Sequence, residues 1–304
     1  MDWLLLVVGL LGLFLGGEAL VRGAVAVAHR FAMPPLLIGL TVVGFGTSTP
    51  ELLVSVQAAL GGVPDIAIGN VVGSNIGNIL LIVGVTALIW PITVAARSLR
   101  RDLAVMILAA FALVPLFWLG QIGRFAGLAL VLGLLAYLVW SYLDPQGDAP
   151  ESDAPAQPLW QSIGWLLAGL AGLMLGARLL VDGAVNIAQA LGLSEAFIGL
   201  TIVAIGTSLP ELATSLMAAL RKQSAIAIGN IVGSNVFNVL GILGATAIIA
   251  PIPVAGRFLT FDLPVMIGVS ALLAVLLLAR SGVGRAGGAV LLLGYAAYVW
   301  AAQG

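Results

Sequence analysis

Long apolar stretches dominate the chain, and short polar segments separate them. The stretch from Phe125 to Trp140 does not alternate between apolar and polar residues, as a membrane-spanning β-strand would. An α-helix needs about 20 apolar residues to cross a bilayer. The pattern therefore predicts ten membrane-spanning helices, at about residues 3–29, 34–60, 65–90, 102–120, 124–143, 161–190, 195–220, 224–250, 262–280 and 284–302.

The composition favours an all-α integral membrane protein whose surroundings are the lipid bilayer. Of the 304 residues, 61% are hydrophobic and only 8% are charged, against about 25% charged in soluble domains. Without Cys and with one His, the chain has no disulfide framework and no thiolate metal site. The net charge of −1 gives no basic surface for nucleic acid. No nucleophile–base pair appears, so we expect no enzyme. We also expect no cofactor, and no protein partner is evident.

The second half of the chain repeats the first. A shift of 160 positions aligns 38–55 with 198–215 and 66–84 with 226–244, with Glu, Asn, Ser and Pro in register. Because each half has five helices, an odd number, the second half enters the membrane from the opposite side, as in many secondary transporters. We therefore predict two inverted five-helix repeats joined by a linker, at residues 1–143, 161–304 and 144–160, respectively.

The distribution of Lys and Arg predicts the orientation, because basic loops stay in the cytoplasm. The loops on one side carry only Arg124 and Arg257. The loops on the other side carry Arg30, Arg97, Arg100, Arg101, Arg221, Lys222, Arg280 and Arg285. We therefore expect a multi-pass protein of the cell (inner) membrane, with both termini outside and the acidic, Pro-rich linker in the cytoplasm.

Two glutamates lie about midway along predicted helices, where an ionisable side chain is costly and is a functional candidate. Glu51 and Glu211 occupy equivalent positions, and each follows a Gly-Thr-Ser-X-Pro sequence. Pro removes a backbone donor and Gly weakens the helix. We therefore expect the carbonyls around 44–46 and 204–206 to be free and to face a cavity.

The next helix of each half carries the motif Gly-Asn-X-X-Gly-Ser-Asn-X-X-Asn, at 69–78 and 229–238. Helical spacing places three polar side chains of each motif on one face, namely Asn70, Ser74 and Asn78, and Asn230, Ser234 and Asn238. With the glutamates they offer only oxygen ligands, which suit Ca²⁺ or Na⁺ rather than Zn²⁺ or Cu²⁺. One Ca²⁺ or two Na⁺ would neutralise the two carboxylates, so mutually exclusive occupancy is a physical basis for exchange.

The other charged residues of the helices are expected to be structural. Spacing of i,i+4 predicts two ion pairs, Glu18 with Arg22 and Arg178 with Asp182. Asp102 and Asp262 follow an Arg-bearing loop and open the fourth and ninth predicted helices. We expect these two aspartates to cap the helices or to interact with the helix dipoles.

The duplicated Gly-Thr-Ser-X-Pro-Glu motif, each time followed by the Asn-rich motif, resembles the two α-repeats of the sodium/calcium exchanger family. The likeness is to prokaryotic members of this family, which belongs to the cation/calcium antiporter superfamily. It covers essentially the whole chain and is strongest over 38–84 and 198–244. The resemblance implies ten helices, exchange of Na⁺ for Ca²⁺, and alternating access by sliding of the first and sixth helices.

The resemblance also implies the ion ligands. Glu51 and Glu211 would be the central Ca²⁺ ligands near the membrane midplane, assisted by the carbonyls of Thr47 and Thr207. One flanking Na⁺ site would comprise Thr47, Ser48, Ser74 and the Gly44 carbonyl. The opposite site would comprise Thr207, Ser208, Ser234 and the Ala204 carbonyl. Asn78 and Asn238 would border the middle of the site.

The same resemblance bears on the counter-ion. Some family members, including potassium-dependent exchangers, carry Asp where this chain has Asn238, so we expect no K⁺ dependence. Proton/calcium exchangers of the superfamily carry Gly-Asn before the motif Glu, whereas this chain has Thr-Ser at 47–48 and 207–208, which favours Na⁺. A proton-coupled or other divalent-cation antiporter and a passive cation channel are the alternatives.

Overall fold

The computed structural model describes residues 2–146, 157–191 and 204–302, which are largely helical. The helices of the first half are α1 (Asp2–Arg30), α2 (Pro35–Thr47), α3 (Thr49–Leu60), α4 (Pro64–Ile89), α5 (Ala96–Trp118) and α6 (Arg124–Leu143). The helices described in the second half are α7 (Leu159–Ala190), α8 (Ala204–Gly206), α9 (Leu209–Leu220), α10 (Ser224–Ile249), α11 (Phe258–Arg280) and α12 (Arg285–Ala302).

Length and hydropathy identify this chain as a helical membrane protein. Seven of the described helices are long and apolar enough to cross a membrane, and α2 with α3 forms a further, broken span with a bend of 44°. The predicted helix 195–220 lies partly outside the described residues, and its second part is α9. The fourth predicted helix begins earlier than residue 102, because Ala96–Leu99 forms a 3₁₀ turn that leads into it.

Several helices contain wider π-type turns, which the apolar pattern did not predict. These segments are Gly39–Val43 in α2, Asn78–Val83 in α4, Phe237–Leu243 in α10 and Phe258–Asp262 at the start of α11. The segments in α4 and α10 begin at or next to the last Asn of the Asn-rich motifs. Such turns often mark functional sites, because they rotate the side chains that follow.

Two short strand ladders connect the halves, so the expectation of a purely helical chain was incomplete. The strands are β1 (Ile92–Thr93), β2 (Gln121–Ile122), β3 (Ile252–Pro253) and β4 (Gly282–Val283). β1 pairs antiparallel with β4, and β2 pairs antiparallel with β3. Each ladder therefore joins a loop of one half to a loop of the other.

The buried apolar side chains form two clusters. The larger cluster is centred on α4 and α10 and includes residues of α5, α6 and α11. The smaller cluster joins α1 and α7 to parts of α2 and α9. The helices α4 and α10, which carry the Asn-rich motifs, are thus largely enclosed by other helices among the described residues.

The helices α1 and α7 pack closely along a line of glycines. A Cβ atom on Gly16 would lie 2.6 Å from the Leu173 nitrogen, and one on Gly183 would lie 2.8 Å from the Asp2 carbonyl oxygen. The start of α1 therefore contacts the end of α7, so the two helices run antiparallel. Glycine permits this close approach of the two helices, because any side chain would collide with the backbone of the other helix.

One of the two predicted charge pairs has other partners, and the second is confirmed. The carboxylate of Glu18 pairs with Nε and Nη2 of Arg221, in the loop after α9. The guanidinium of Arg22 instead stacks over the Trp165 ring, 4.5 Å from its centroid. The guanidinium of Arg221 contacts both carboxylate oxygens of Glu18, whereas the guanidinium of Arg22 is held over the Trp165 ring. The predicted Arg178–Asp182 pair is confirmed, at 3.9 Å and exposed.

The aspartates at the starts of α5 and α11 anchor the neighbouring helix rather than capping their own. Asp102 accepts hydrogen bonds from Arg101 Nε (2.9 Å) and Tyr137 OH (3.0 Å). Asp262 accepts a hydrogen bond of 2.9 Å from Tyr298 OH and pairs with Arg257. The capping alternative was wrong, because a tyrosine of the neighbouring helix binds each carboxylate and neither one makes a cap hydrogen bond. Asp102 lies in the first turn of its α-helix, which agrees with the alternative of an interaction with the helix dipole.

Candidate ion-binding site

Breaks in two helices position the glutamates. At Ser48 the backbone leaves the helical region (φ −84°, ψ 9°) before α3, and at Ser208 it does the same (φ −89°, ψ 4°) before α9. Pro50 and Pro210 then lie in the first turn of the new helix, where N–H groups have no helical acceptor. Each Gly-Thr-Ser-X-Pro sequence thus ends one helix and begins another in the protein interior.

The two carboxylates are buried, and hydroxyls of the opposite half contact them. Glu51 and Glu211 lie one residue after each Pro and are 1% exposed. Ser48 Oγ donates a hydrogen bond of 2.9 Å to Glu211 Oε1, and Ser208 bonds reciprocally to Glu51. The carboxylates are close enough for their charges to repel each other. A bound cation would relieve this repulsion, and the positive N-terminal ends of α3 and α9 also favour the two charges.

Four buried oxygen atoms of this region have no hydrogen-bond donor: Oε2 of Glu51 and of Glu211, and Oδ1 of Asn78 and of Asn238. Buried polar atoms in proteins almost always have a partner, so these four require an explanation. Carboxylate and amide oxygens are the atoms that bind Ca²⁺ and other hard cations. The residues therefore fit a dehydrated cation held between the two halves.

The sequence predicted a free carbonyl at Gly44, but in the structure this carbonyl contacts hydroxyls of both halves. It accepts a hydrogen bond of 3.2 Å from Ser234 Oγ and lies 3.3 Å from Thr47 Oγ1. Ser234, and not Ser74, thus shares this carbonyl with Thr47. The reason is that α2 packs along α10 of the other half, where a Cβ atom on Gly233 would lie 2.2 Å from the Leu40 carbonyl oxygen.

The remaining predicted ligands lie in the same pair of broken helices and their partners. Ser74 is buried in α4, four residues before Asn78. Thr207 and Ser208 stand at the break before α9, and the backbone of Ala204 begins α8. Within residues 2–146, 157–191 and 204–302, no three His, Cys, Asp or Glu side chains group together, so the site there has two carboxylates.

Two further pairs of asparagines support the site: Asn70 with Asn230, which the sequence placed on the polar face, and Asn75 with Asn235, which it did not. Asn70 Nδ2 donates to the Glu51 carbonyl (3.0 Å) and to Ser55 Oγ (2.9 Å). Asn230 makes the same pair of bonds in the second half, to the Glu211 carbonyl and Ser215. These bonds tie each glutamate helix to its Asn-rich partner.

The second pair, Asn75 and Asn235, contacts the asparagines that carry the free oxygens. Asn78 Nδ2 donates to Asn235 Oδ1, and Asn238 Nδ2 donates to Asn75 Oδ1, both at 2.9 Å. Helical spacing alone sets Asn75 and Asn235 off the predicted face. The signal that could have identified them is their presence at the same position of both motifs.

Comparison with known proteins gives consistent matches over nearly the whole chain. The profile described as sodium/calcium exchanger protein matches residues 1–143 and 161–303. The inner membrane protein YrbG of Escherichia coli is 38% identical and covers 95% of this chain and 93% of its own. The sodium/calcium exchanger MaX1 of Methanosarcina acetivorans is 30% identical over 98% of this chain and 97% of its own.

A solved structure gives the same result at the level of the fold. The sodium–calcium exchanger NCX_Mj, in a crystal soaked with Na⁺ and Sr²⁺, superposes with a TM-score of 0.86. The two sequences are 34% identical, and the match covers 98% of this chain and 97% of the other. A profile match over both halves, long relatives and a shared fold agree, and the chain therefore belongs to the sodium/calcium exchanger family.

Proposed function

We propose that this protein is a secondary antiporter that exchanges Na⁺ for Ca²⁺ at a site built on Glu51 and Glu211. The observation that carries the proposal is the set of buried oxygens without donors on these glutamates and on Asn78 and Asn238. One cation bound between these residues would satisfy carboxylate and amide oxygens of both halves together. Relatives named sodium/calcium exchangers support the choice of ions.

The charge of the site supports an exchange between one divalent ion and monovalent ions. Two carboxylates with neutral amides and hydroxyls carry a charge of −2 when both are ionised. One Ca²⁺ or two Na⁺ neutralises that charge, whereas a simultaneous load of all three ions leaves an excess positive charge in a buried site, which is costly. Occupancy by one type of ion therefore opposes occupancy by the other.

Hydroxyls and carbonyls beside the glutamates would form the flanking Na⁺ sites. On one side the proposed ligands are Thr47, Ser48, Ser234 and the Gly44 carbonyl, a grouping supported by the 3.2 Å bond between Ser234 and Gly44. By equivalence of the halves, the ligands on the other side are Thr207, Ser208, Ser74 and the Ala204 carbonyl. Neutral Asn78 and Asn238 leave the site without a third carboxylate, which favours independence from K⁺.

We further propose that the two halves are inverted repeats of five spans each. The equivalent helices α1 and α7 run antiparallel, which supports inversion. The equivalent strands β1 and β3 belong to different ladders, which supports the same arrangement. Besides the seven long helices, α2 with α3 counts as one span, residues 195–220 as a second and α12 (Arg285–Ala302) as a third, which gives ten spans.

Alternating access would follow from a movement of α1 and α7 along the rest of the bundle. These two helices contact each other through small residues and belong to the smaller apolar cluster. Because glycines let the two backbones pack closely, α1 and α7 can move together as one unit. Such a movement would expose the glutamates first to one side of the membrane and then to the other, as in other secondary transporters.

The proposed orientation has both termini outside the cell and the linker 144–160 in the cytoplasm. The ladder of β1 with β4 brings the start of α5, which carries Arg97, near the end of α11, which carries Arg280, and this is consistent with their assignment to one side. Basic loops mark the cytoplasmic side of membrane proteins. The name of the Escherichia coli relative, an inner membrane protein, supports the cell membrane as the location.

The proposal is tested by flux into proteoliposomes that contain the purified protein. Vesicles loaded with Na⁺ and diluted into Na⁺-free buffer with ⁴⁵Ca²⁺ should accumulate Ca²⁺, and vesicles without a Na⁺ gradient should not. Gradients of K⁺ and H⁺ are imposed separately, with ionophores that hold the membrane potential constant.

Each alternative function gives a different outcome in the same assay. Uptake that follows a pH gradient and ignores the Na⁺ gradient would replace the proposal by a proton-coupled antiporter. Equilibration of Ca²⁺ without any counter-ion would identify a passive channel. Dependence on Na⁺ together with K⁺ would contradict the expected K⁺ independence while it retained the Na⁺ coupling.

A further inference from the structure

Four asparagines form a reciprocal hydrogen-bonded group where α4 and α10 cross. Asn75 Nδ2 donates to the Asn235 carbonyl oxygen (3.2 Å), and Asn235 Nδ2 donates to the Asn75 carbonyl oxygen (3.4 Å). The side-chain oxygens of Asn75 and Asn235 accept bonds from Asn238 and Asn78, each at 2.9 Å. Each half thus contributes the asparagine that holds an asparagine of the other half.

The orientation of this group is set by backbone carbonyls, which can only accept hydrogen bonds. Because the Asn235 carbonyl faces Asn75, the amide nitrogen of Asn75 must point to it, and Asn75 Oδ1 points the other way. That oxygen lies opposite Asn238, so Asn238 must present its nitrogen. Asn75 Nδ2 also lies 3.6 Å from the sulfur of Met266, but a thioether is a weak acceptor and adds little to this order.

The other two asparagines are oriented in the same way. The Asn75 carbonyl accepts from Asn235 Nδ2, and Asn235 Oδ1 then accepts from Asn78 Nδ2. Asn235 Nδ2 also lies 3.7 Å from the sulfur of Met106. In both cases the amide nitrogen of the last residue is occupied, and its oxygen faces away from the group. Asn78 Oδ1 and Asn238 Oδ1 are buried and have no donor. Amides that served only to join helices would have both of their polar atoms bonded.

We propose that Asn75 and Asn235 are positioning residues that turn the carbonyl oxygens of Asn238 and Asn78 toward the transported cation. This inference rests on the proposed function, because it needs a cation at the glutamates. An amide rotated by half a turn would place its –NH₂ group at the ion and repel it. The two asparagines therefore keep the correct atom of each amide in the site, without contacting the ion themselves.

The test is Ca²⁺ binding to the purified full-length protein in detergent, measured by calorimetry or with ⁴⁵Ca²⁺. Asn75→Leu and Asn235→Leu keep the approximate volume but remove the acceptors for Asn238 and Asn78. Loss of a group that orients a metal ligand typically weakens binding about 10- to 100-fold, and we expect a loss of that size in each variant. Met266 and Met106 contact the same two amides only through weak bonds to sulfur, so Met266→Leu and Met106→Leu are the matched controls and should change affinity little.

A second measurement separates positioning from a loss of packing. Asn75→Leu is repeated in an Asn238→Asp background, where a carboxylate presents an oxygen to the ion in either orientation. We expect the cost of Asn75→Leu to fall from tenfold or more to less than about threefold there, as coupled neighbours do. An equal cost in both backgrounds would identify a structural defect and overturn the proposal.

Folding and the proposed function are checked in the same series. If Asn75→Leu is not monodisperse, Asn75→Ser replaces it, since its short hydroxyl does not reach Asn238 and the same loss is expected. Unchanged Ca²⁺ binding in folded position-75 and position-235 variants would overturn the inference and leave the antiport proposal intact. Absence of Ca²⁺ binding in the unmodified protein would instead refute the proposed function.

Discussion

Ser48 in the first half donates a hydrogen bond of 2.9 Å to Glu211 in the second half. Ser208 makes the equivalent bond to Glu51. The hydroxyl at each helix break therefore supports the carboxylate that follows the other break. Neither half has a complete set of contacts by itself, so ion binding is expected to require both halves in their mutual arrangement.

Substitution of Ser48 tests this contact. Ser48→Ala removes the donor to Glu211 and one proposed Na⁺ ligand. A hydrogen bond to a charged group contributes about 1.5–3 kcal/mol, so the ion concentrations for half-maximal exchange should rise at least about tenfold. The measurement is Na⁺-driven ⁴⁵Ca²⁺ uptake at varied concentrations of each ion. Ser98→Ala, in the 3₁₀ turn at the start of α5, removes a hydroxyl that bonds to the local Ala95 carbonyl and should leave uptake unchanged.

Neutralisation of either glutamate should abolish exchange. Glu51→Gln or Glu211→Gln leaves one negative charge, which cannot neutralise a buried Ca²⁺ ion. The unmodified protein should gain thermal stability when Ca²⁺ is added, because a ligand that binds only the native state stabilises it. The two variants should show neither this gain nor Na⁺-driven uptake.

Thermal stability in ion-free buffer separates loss of the site from loss of folding. The two buried carboxylates repel each other, so either Gln variant should unfold at a temperature equal to or above that of the unmodified protein. Glu151→Gln, in the acidic linker, is the matched control and should retain exchange. Near-normal Ca²⁺ transport by either glutamate variant would refute the site.

Much of this arrangement is predictable from the sequence, because the motif occurs twice and each copy supports the interpretation of the other. The helices follow from apolar length, and the glutamates stand out as charges at membrane depth with equivalents 160 positions apart. The broken helices follow from Gly and Pro at the motif. The burial of Glu51 and Glu211 at these breaks agrees with that expectation.

Contacts between the halves were the part that the sequence could not predict. Spacing along a helix relates Ser74 to Asn78, but it does not tell which half faces the Gly44 carbonyl, and Ser234 lies there. The same limit explains the Arg221 partner of Glu18. Such pairs depend on how helices pack in space, where residues far apart in the chain become neighbours.

The Asp102–Tyr137 bond provides a test of how α5 is joined to α6. Asp102 is fully buried, and Tyr137→Phe would remove one of its donors while preserving the ring. A buried acceptor that loses a donor costs about 1–3 kcal/mol, so the unfolding temperature in detergent should fall by a few degrees. Tyr142→Phe, on the same helix with an exposed side chain, should have no measurable effect. Equal unfolding temperatures for the two variants would show that the bond is not stabilising.

The glycine contact between α1 and α7 predicts that a substitution there lowers the rate of exchange without weakening Ca²⁺ binding. In Gly176→Ala the new methyl group would lie 2.6 Å from the Leu13 nitrogen and 2.9 Å from the Gly9 carbonyl oxygen, so α1 must move away as a whole. Overpacking of this kind costs about 1–3 kcal/mol. Because the ion ligands lie on other helices, Ca²⁺ affinity should change little, whereas maximal exchange should fall if α1 and α7 move together. Gly164→Ala, on the same helix with open space around it, should leave both quantities unchanged, and an equal loss of exchange in this variant would contradict the proposed movement.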